Sequence, residues 1–138
     1  MLHAGNAFEV ALFEAVHQHG RFMARTHEPA GWTSRFREIV LTVDARLHDL
    51  RPDTEAPSID LPSDDYHANQ VLGAGLRLAG SDGVVHPSVR APHGECVGLF
   101  HPDCAAHPVQ GRHLDYHWNG TVIDFYRDLD TGQVYRIV

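Results

Sequence analysis

The chain contains no lysine, only two cysteines, and no apolar run near the ~18 residues that a membrane-spanning helix needs. Its 138 residues carry 11 basic and 18 acidic side chains, so the formal net charge is −7. An acidic chain without lysine clusters is a poor candidate for binding nucleic acid or a membrane surface. Two cysteines cannot form a disulfide scaffold, and the first residues lack a secretory signal. We therefore expect a cytoplasmic protein with neither nucleic acid nor membrane as a partner.

The length and the 43% hydrophobic content predict one folded domain spanning residues 1–138. A buried N-terminal helix is expected first, because Asn6 and Glu9 form a capping-box-like pair and apolar residues then recur at helical spacing. Gly20 is its expected C-terminal stop. A second helix is predicted over residues 64–79, after a long polar connection at residues 49–65.

The remaining pattern predicts strands. Short apolar and β-branched runs occupy residues 38–43, 84–86 and 96–100. The C-terminal third then predicts a β-meander, because Asn119-Gly120 separates two strand-like runs and Asp130-Thr131-Gly132 precedes a third. Together these elements indicate an α+β fold with a mixed or antiparallel sheet.

Three residues of this pattern are candidates for chemistry. Glu14 lies inside the most apolar helix, where a carboxylate is costly to bury without a partner. Ser88 follows a strand end and a proline, and Arg90 is two positions on, so that the two could hold an anionic ligand. From position alone the structural interpretation is the more common one for each of them: a rim glutamate, a turn serine and a surface arginine.

The histidine and cysteine content raises the question of a metal site. Twelve histidines are present, and several of them lie near Cys96 and Cys104. The two cysteines are not in a CxxC pair, and the spacing of these side chains matches no familiar zinc pattern. We therefore predict no metal, and a small zinc-binding domain is the last of the alternatives.

Four blocks of sequence carry a resemblance to a known family. Glu14 stands in A-L-F-E-A-V-H (residues 11–17) and Ser88 in D-G-V-V-H-P-S-V-R (residues 82–90). Residues 36–50 end in L-H-D-L, and residues 94–100 read G-E-C-V-G-L-F. In this order and spacing the blocks resemble the RES domain family, the toxin partners of bacterial toxin–antitoxin pairs.

The resemblance implies a fold, an activity and partners. It implies an ADP-ribosyltransferase-like domain that cleaves NAD+ at the nicotinamide–ribose bond, by phosphorolysis or hydrolysis, and an Xre-like antitoxin as protein partner. NAD+ is then the substrate and inorganic phosphate a possible co-substrate, with no separate cofactor. Glu14 and Ser88 fall on the family's catalytic glutamate and serine. His3 falls on the family's tyrosine and, with Arg90, is a candidate contact to the substrate.

One feature of the family has no counterpart in this chain. The family arginine lies several dozen residues before the glutamate, whereas only thirteen residues precede Glu14 here. Three explanations remain open: a truncated reading frame, substitution by Arg21 or Arg25, or an inactive remnant that acts as a protein-binding module, for example by sequestering an antitoxin. A remnant could form a homo-oligomer that covers an exposed sheet edge.

Overall fold

The computed structural model of the chain describes residues 1–52 and 66–138. By their contacts they form two compact units: unit 1 comprises Met1–Ala11 and Thr42–Ala106, and unit 2 comprises Leu12–Leu41 and His107–Val138. The single domain expected over residues 1–138 stays a prediction. The elements, in chain order, are β1 (Leu2–Gly5), α1 (Phe8–Ala24), β2 (Thr33–Val43), β3 (Leu47–Asp49), α2 (Tyr66–Leu78), β4 (Gly83–Pro87), β5 (Glu95–Leu99), a 3-10 turn (Pro102–Cys104), β6 (Ala105–Trp118), β7 (Ile123–Asp128) and β8 (Val134–Arg136).

The α+β class is confirmed, and helix α1 differs from its prediction at both ends. The helix begins at Phe8, two positions after Asn6, and Asn6 Oδ1 accepts a hydrogen bond from the Glu95 amide at 3.1 Å. Gly20 lies inside the helix, which continues to Ala24. One interior glycine costs a helix only ~1 kcal/mol, and packing of the flanking turns outweighs that cost.

Unit 1 is built on a mixed sheet with the strand order β1-β5-β4-β3. Strands β1 and β4 are antiparallel to β5, and β3 is parallel to β4. Consequently β1, β3 and β4 all end where β5 begins, which we call the carboxyl end of this sheet. Strand β1 was not predicted, because four residues carry too little pattern and only their pairing with β5 makes them a strand.

Unit 2 combines the rest of α1 with a sheet in the order β2-β6-β7-β8. The β6–β7 and β7–β8 pairs are antiparallel, as expected for the predicted meander. Its apolar side carries a ring stack of Phe36 on Tyr116, with the His19 ring of α1 edge-on to Phe36 at 4.9 Å between centroids. Leu12 and Met23 of α1 are buried, whereas Phe13 and Phe22 are exposed. The helix is therefore buried along one side only.

Candidate functional site

His3 lies on the unit 1 sheet, where it forms a cross-strand pair with Gly98 of β5. Gly98 leaves space beside the imidazole, since a Cβ built on it would lie 3.6 Å from His3 Nδ1 and 3.1 Å from Met1 Sδ. His3 shares its face of the sheet with Gly5, two positions on, and Gly5 packs against the first turn of α1. The exposed His3 side chain is therefore held on the helix-covered face by strand pairing.

Ser88 begins the loop that joins β4 to β5. Its amide donates a hydrogen bond to the Gly94 carbonyl at 2.8 Å. Its Oγ accepts hydrogen bonds from the amides of Ala91 and Arg90, at 3.1 and 3.3 Å. The loop closes with the Gly94 amide donating to the Ala91 carbonyl at 3.0 Å. The backbone of its own loop therefore fixes the position of the Ser88 hydroxyl oxygen at the carboxyl end of the sheet.

This loop packs on the first turn of α1. Val10, Ala91 and Cys96 form a cluster in which each residue is 5% exposed. A Cβ on Gly94 would come within 3.2 Å of Val10 Cγ1, so the loop and the helix approach as closely as glycine permits. The Asn6 amide also donates to the Glu95 carbonyl at 2.9 Å. The serine loop, strand β5 and the start of α1 therefore form one packed assembly.

Arg90 lies in the same loop as Ser88 and is half-buried. The structure therefore brings Ser88 and Arg90 together in one short loop, on the sheet that also carries His3. Glu14 lies in the part of α1 that belongs to unit 2, and it is half-buried. Arg21 is half-buried near the end of α1, and Arg25 is exposed just after it.

The sequence reasoning missed an ion cluster around Arg51 at the carboxyl end of the unit 1 sheet. Arg51 Nε and Nη2 donate to the two carboxylate oxygens of Asp49, at 2.9 and 2.8 Å, and Nη1 lies 3.2 Å from both oxygens of Glu95. The hydrogen bonds from Arg51 lower the pKa of Asp49 to about 2. The D-x-R spacing of Asp49 and Arg51 after a strand was the available signal.

The Arg51 cluster lies on the other face of the sheet from His3. Asp49 pairs with Val85 and Glu95 pairs with Pro87, two alternate residues of β4, so Asp49 and Glu95 share one face. His3 pairs with Gly98, and Gly98 pairs with Val84, the neighbour of Val85 on β4. Neighbouring residues of a strand point to opposite faces, so the Arg51 ion pairs and His3 are separated by the sheet. The ion pairs therefore join the ends of β3 and β5 rather than add a cation beside His3.

The cysteines and histidines do not assemble into a ligand set in residues 1–52 and 70–138, whose side chains the structure describes. There, no three His, Cys, Asp or Glu side chains are placed so that they could hold a metal ion. Cys96 is buried in the Val10 cluster, and neither cysteine forms a disulfide. Neither described helix has the length and apolar content to cross a membrane.

Comparison with known proteins gives one finding. A family model described as the RES domain matches residues 1–119, a span that includes His3, Glu14, Ser88 and Arg90. No curated protein and no solved structure matches the chain.

Proposed function

The chain belongs to the RES domain family, and we propose that it cleaves NAD+ at the nicotinamide–ribose bond as the toxin of a toxin–antitoxin pair. The observation that carries the proposal is the extent of the family match, because residues 1–119 include every residue to which the family resemblance gives a role. The resemblance also implies the ADP-ribosyltransferase-like fold and an Xre-like antitoxin, which we include in the proposal.

The proposed reaction transfers the ADP-ribosyl group to phosphate or water. The bond from the ribose carbon to the ring nitrogen breaks, and its electron pair stays on nicotinamide, which leaves as a neutral molecule. An oxygen of phosphate or water then bonds to the same carbon and releases the proton it carried to solvent, giving ADP-ribose 1″-phosphate or ADP-ribose. Because the leaving group is neutral, the main demand on the protein is to stabilise the positive charge that develops on the sugar.

Glu14 is the proposed catalytic residue, because a carboxylate beside the ribose stabilises an oxocarbenium-like transition state. Ser88 is its proposed polar partner, contacting the ribose or the attacking phosphate. The fixed hydroxyl oxygen of Ser88 supports this role, since a preorganised group needs little rearrangement during the reaction. Arg90 is a proposed contact to phosphate oxygens, and the exposed imidazole of His3 a proposed contact to the substrate.

The test is nicotinamide release from NAD+, followed by proton NMR with purified protein in the presence and absence of phosphate. Release that requires phosphate supports phosphorolysis, and release without it supports hydrolysis. We expect Glu14→Gln to slow release by about 10²–10³-fold, the cost typical of losing one preorganised electrostatic group. The matched control is Glu9→Gln, an exposed carboxyl in the first turn of the same helix, which we expect to leave the rate unchanged.

Thermal unfolding of each variant shows whether it is folded. Equal rates for Glu14→Gln and the parent would end the catalytic assignment of Glu14. No release from a folded parent would overturn the enzymatic proposal and favour the inactive, protein-binding remnant.

A further inference from the structure

The unit 2 sheet has one face that carries the Phe36–Tyr116 stack, and its opposite face is rich in arginine side chains. Arg35 of β2 contacts Asp115 of β6 at 3.0 Å, and Asp115 forms the cross-strand pair with Arg127 of β7. Arg136 of β8 pairs with Phe125 of β7. Alternation along the strands places these side chains, together with Arg37, on the side away from the Phe36–Tyr116 stack. We call this surface the arginine face, defined by Arg35, Arg37, Arg127 and Arg136.

The arginine face differs in charge from the rest of the chain. All four of its arginines are exposed. Two carboxylates lie among them: Asp115, and Asp124, whose Oδ1 lies 2.7 Å from His117 Nδ1. The four arginine side chains outnumber these two carboxylates, in a chain whose net charge is −7. Arg136 Nε also donates a hydrogen bond to the main-chain oxygen of Val138. This separation of charge creates a local preference for acidic groups.

Apolar side chains lie on the same surface. Ile39 is two positions beyond Arg37 and is 48% exposed, and Val134, the cross-strand partner of Arg127, is 51% exposed. The ring of Phe125 stacks on His117 at 4.3 Å between centroids. Arginine and aromatic side chains are enriched in protein–protein interfaces.

We infer that the arginine face docks an acidic, extended segment of a partner protein. Arg35 and Arg37 are one strand repeat apart, about 6.8 Å, which is also the spacing of alternate side chains in an extended peptide. A segment with acidic residues at alternate positions can therefore present its carboxylates to both arginines, while the side chains between them point away from the surface. Each strand of duplex DNA carries a charge about every 3.4 Å of the helix axis, so some of its phosphates would lie near Asp115 and Asp124.

Binding of a labelled alternating Glu-Ser decapeptide, measured by fluorescence anisotropy at low salt, tests this inference. We expect the peptide to bind the parent, and to bind Arg37→Gln/Arg127→Gln about tenfold more weakly, which corresponds to ~1.4 kcal/mol. The matched control is Arg46→Gln/Arg77→Gln, which removes two exposed arginines from unit 1 and should change affinity less than about twofold. Arg37→Lys/Arg127→Lys keeps the charge and should recover part of the affinity.

Each contrary outcome overturns the inference. It fails if the parent does not bind the peptide. It also fails if Arg37→Gln/Arg127→Gln and Arg46→Gln/Arg77→Gln lose affinity equally, which would indicate a diffuse charge effect. Tighter binding of an oligothymidylate of equal charge would indicate a nucleic acid surface instead. If the parent forms a stable dimer and the Arg37→Gln/Arg127→Gln substitutions dissociate it, the occupant is a second copy of the chain. Peptide binding needs no NAD+, so this test and that of the proposed reaction fail independently.

Discussion

Ser88 combines a local structural role with its proposed contact to substrate. Its Oγ accepts two amide hydrogen bonds that close the β4–β5 loop, and Ala91 of that loop is buried against Val10. The same oxygen therefore holds the loop and defines the carboxyl end of the sheet. A serine at this position has a structural reason to be present whether or not it touches a substrate.

Replacing Ser88 tests its structural role in the loop. Ser88→Ala leaves two loop amides without their acceptor, and we expect it to lower the free energy of unfolding by about 1–2 kcal/mol. Ser88→Thr keeps the hydroxyl and should stay close to the parent. Urea denaturation of the three proteins measures the difference. Equal stability of the alanine variant and the parent would show that the loop does not depend on this hydroxyl.

His19 makes stability depend on pH. Its Nε2 is buried without a hydrogen-bond partner among the described residues, and its ring contacts Phe22 and Phe36. Burial lowers the pKa of His19 from its ordinary value of 6.5. The unfolded chain therefore binds this proton more tightly, so stability is fully present above about pH 6.5 and is lost as the pH falls below it.

Replacing His19 with phenylalanine should remove this loss. We expect His19→Phe to lose less free energy of unfolding than the parent when denaturant titrations are compared at about pH 7.5 and 5.5. His27→Gln, a change in an exposed loop histidine, is the control and should retain the parent's pH dependence. Identical pH dependence in His19→Phe and the parent would contradict the assignment.

The elements show how pairing and packing override local pattern. The sequence predicts that α1 ends at Gly20, yet the helix continues for one more turn to Ala24, where Thr26 Oγ1 donates to the Met23 carbonyl at 2.7 Å. In the unit 1 sheet, Gly83 pairs with Leu99 and lies against the Gly98 carbonyl. These two glycines therefore have different significance: Gly20 lies within a helix that tolerates it, and Gly83 permits two strands to approach.

Alanine substitution should distinguish the two glycines. A Cβ on Gly83 would overlap the Gly98 carbonyl oxygen, which is backbone and cannot rotate away, so Gly83→Ala should destabilise by about 1–3 kcal/mol. A Cβ on Gly20 meets nothing within 4 Å, and Gly20→Ala should stabilise by up to ~1 kcal/mol. Thermal and urea unfolding measure both changes. Effects of the same sign would refute this interpretation of the packing.

At the scale of the whole molecule, charge is the dominant property. The net charge of −7 at pH 7 falls toward zero near the sequence isoelectric point of about 5.9, because histidines gain protons over this range. Twelve histidines make this change of net charge with pH steep. Because the chain has no lysine, arginine is the source of positive side-chain charge at higher pH. Repulsion between molecules is therefore strongest at neutral pH and above.

Solubility should follow the net charge. We expect light scattering to rise as the pH approaches about 5.9 and to fall again when the sample is returned to about pH 8, because little net charge remains to keep molecules apart. Added salt at pH 8 should increase scattering only slightly. A scattering maximum far from the isoelectric point would show that surface patches, rather than net charge, control association.

The sequence by itself determined the α+β class, the second helix, the C-terminal meander and the family. Those features depend on hydrophobic period, turn residues such as Asn119-Gly120, and the order of short motifs, all of which are local in the chain. Tertiary structure alone decided strand β1, the continuation of α1, the closure of the Ser88 loop and the Arg51 ion pairs. Strand β1 and the Arg51–Glu95 ion pair join groups that are distant in sequence and meet only when strands pair. The last turn of α1 and the Ser88 loop are local in the chain, but their packing against residues elsewhere stabilises them, and a local pattern does not specify that packing.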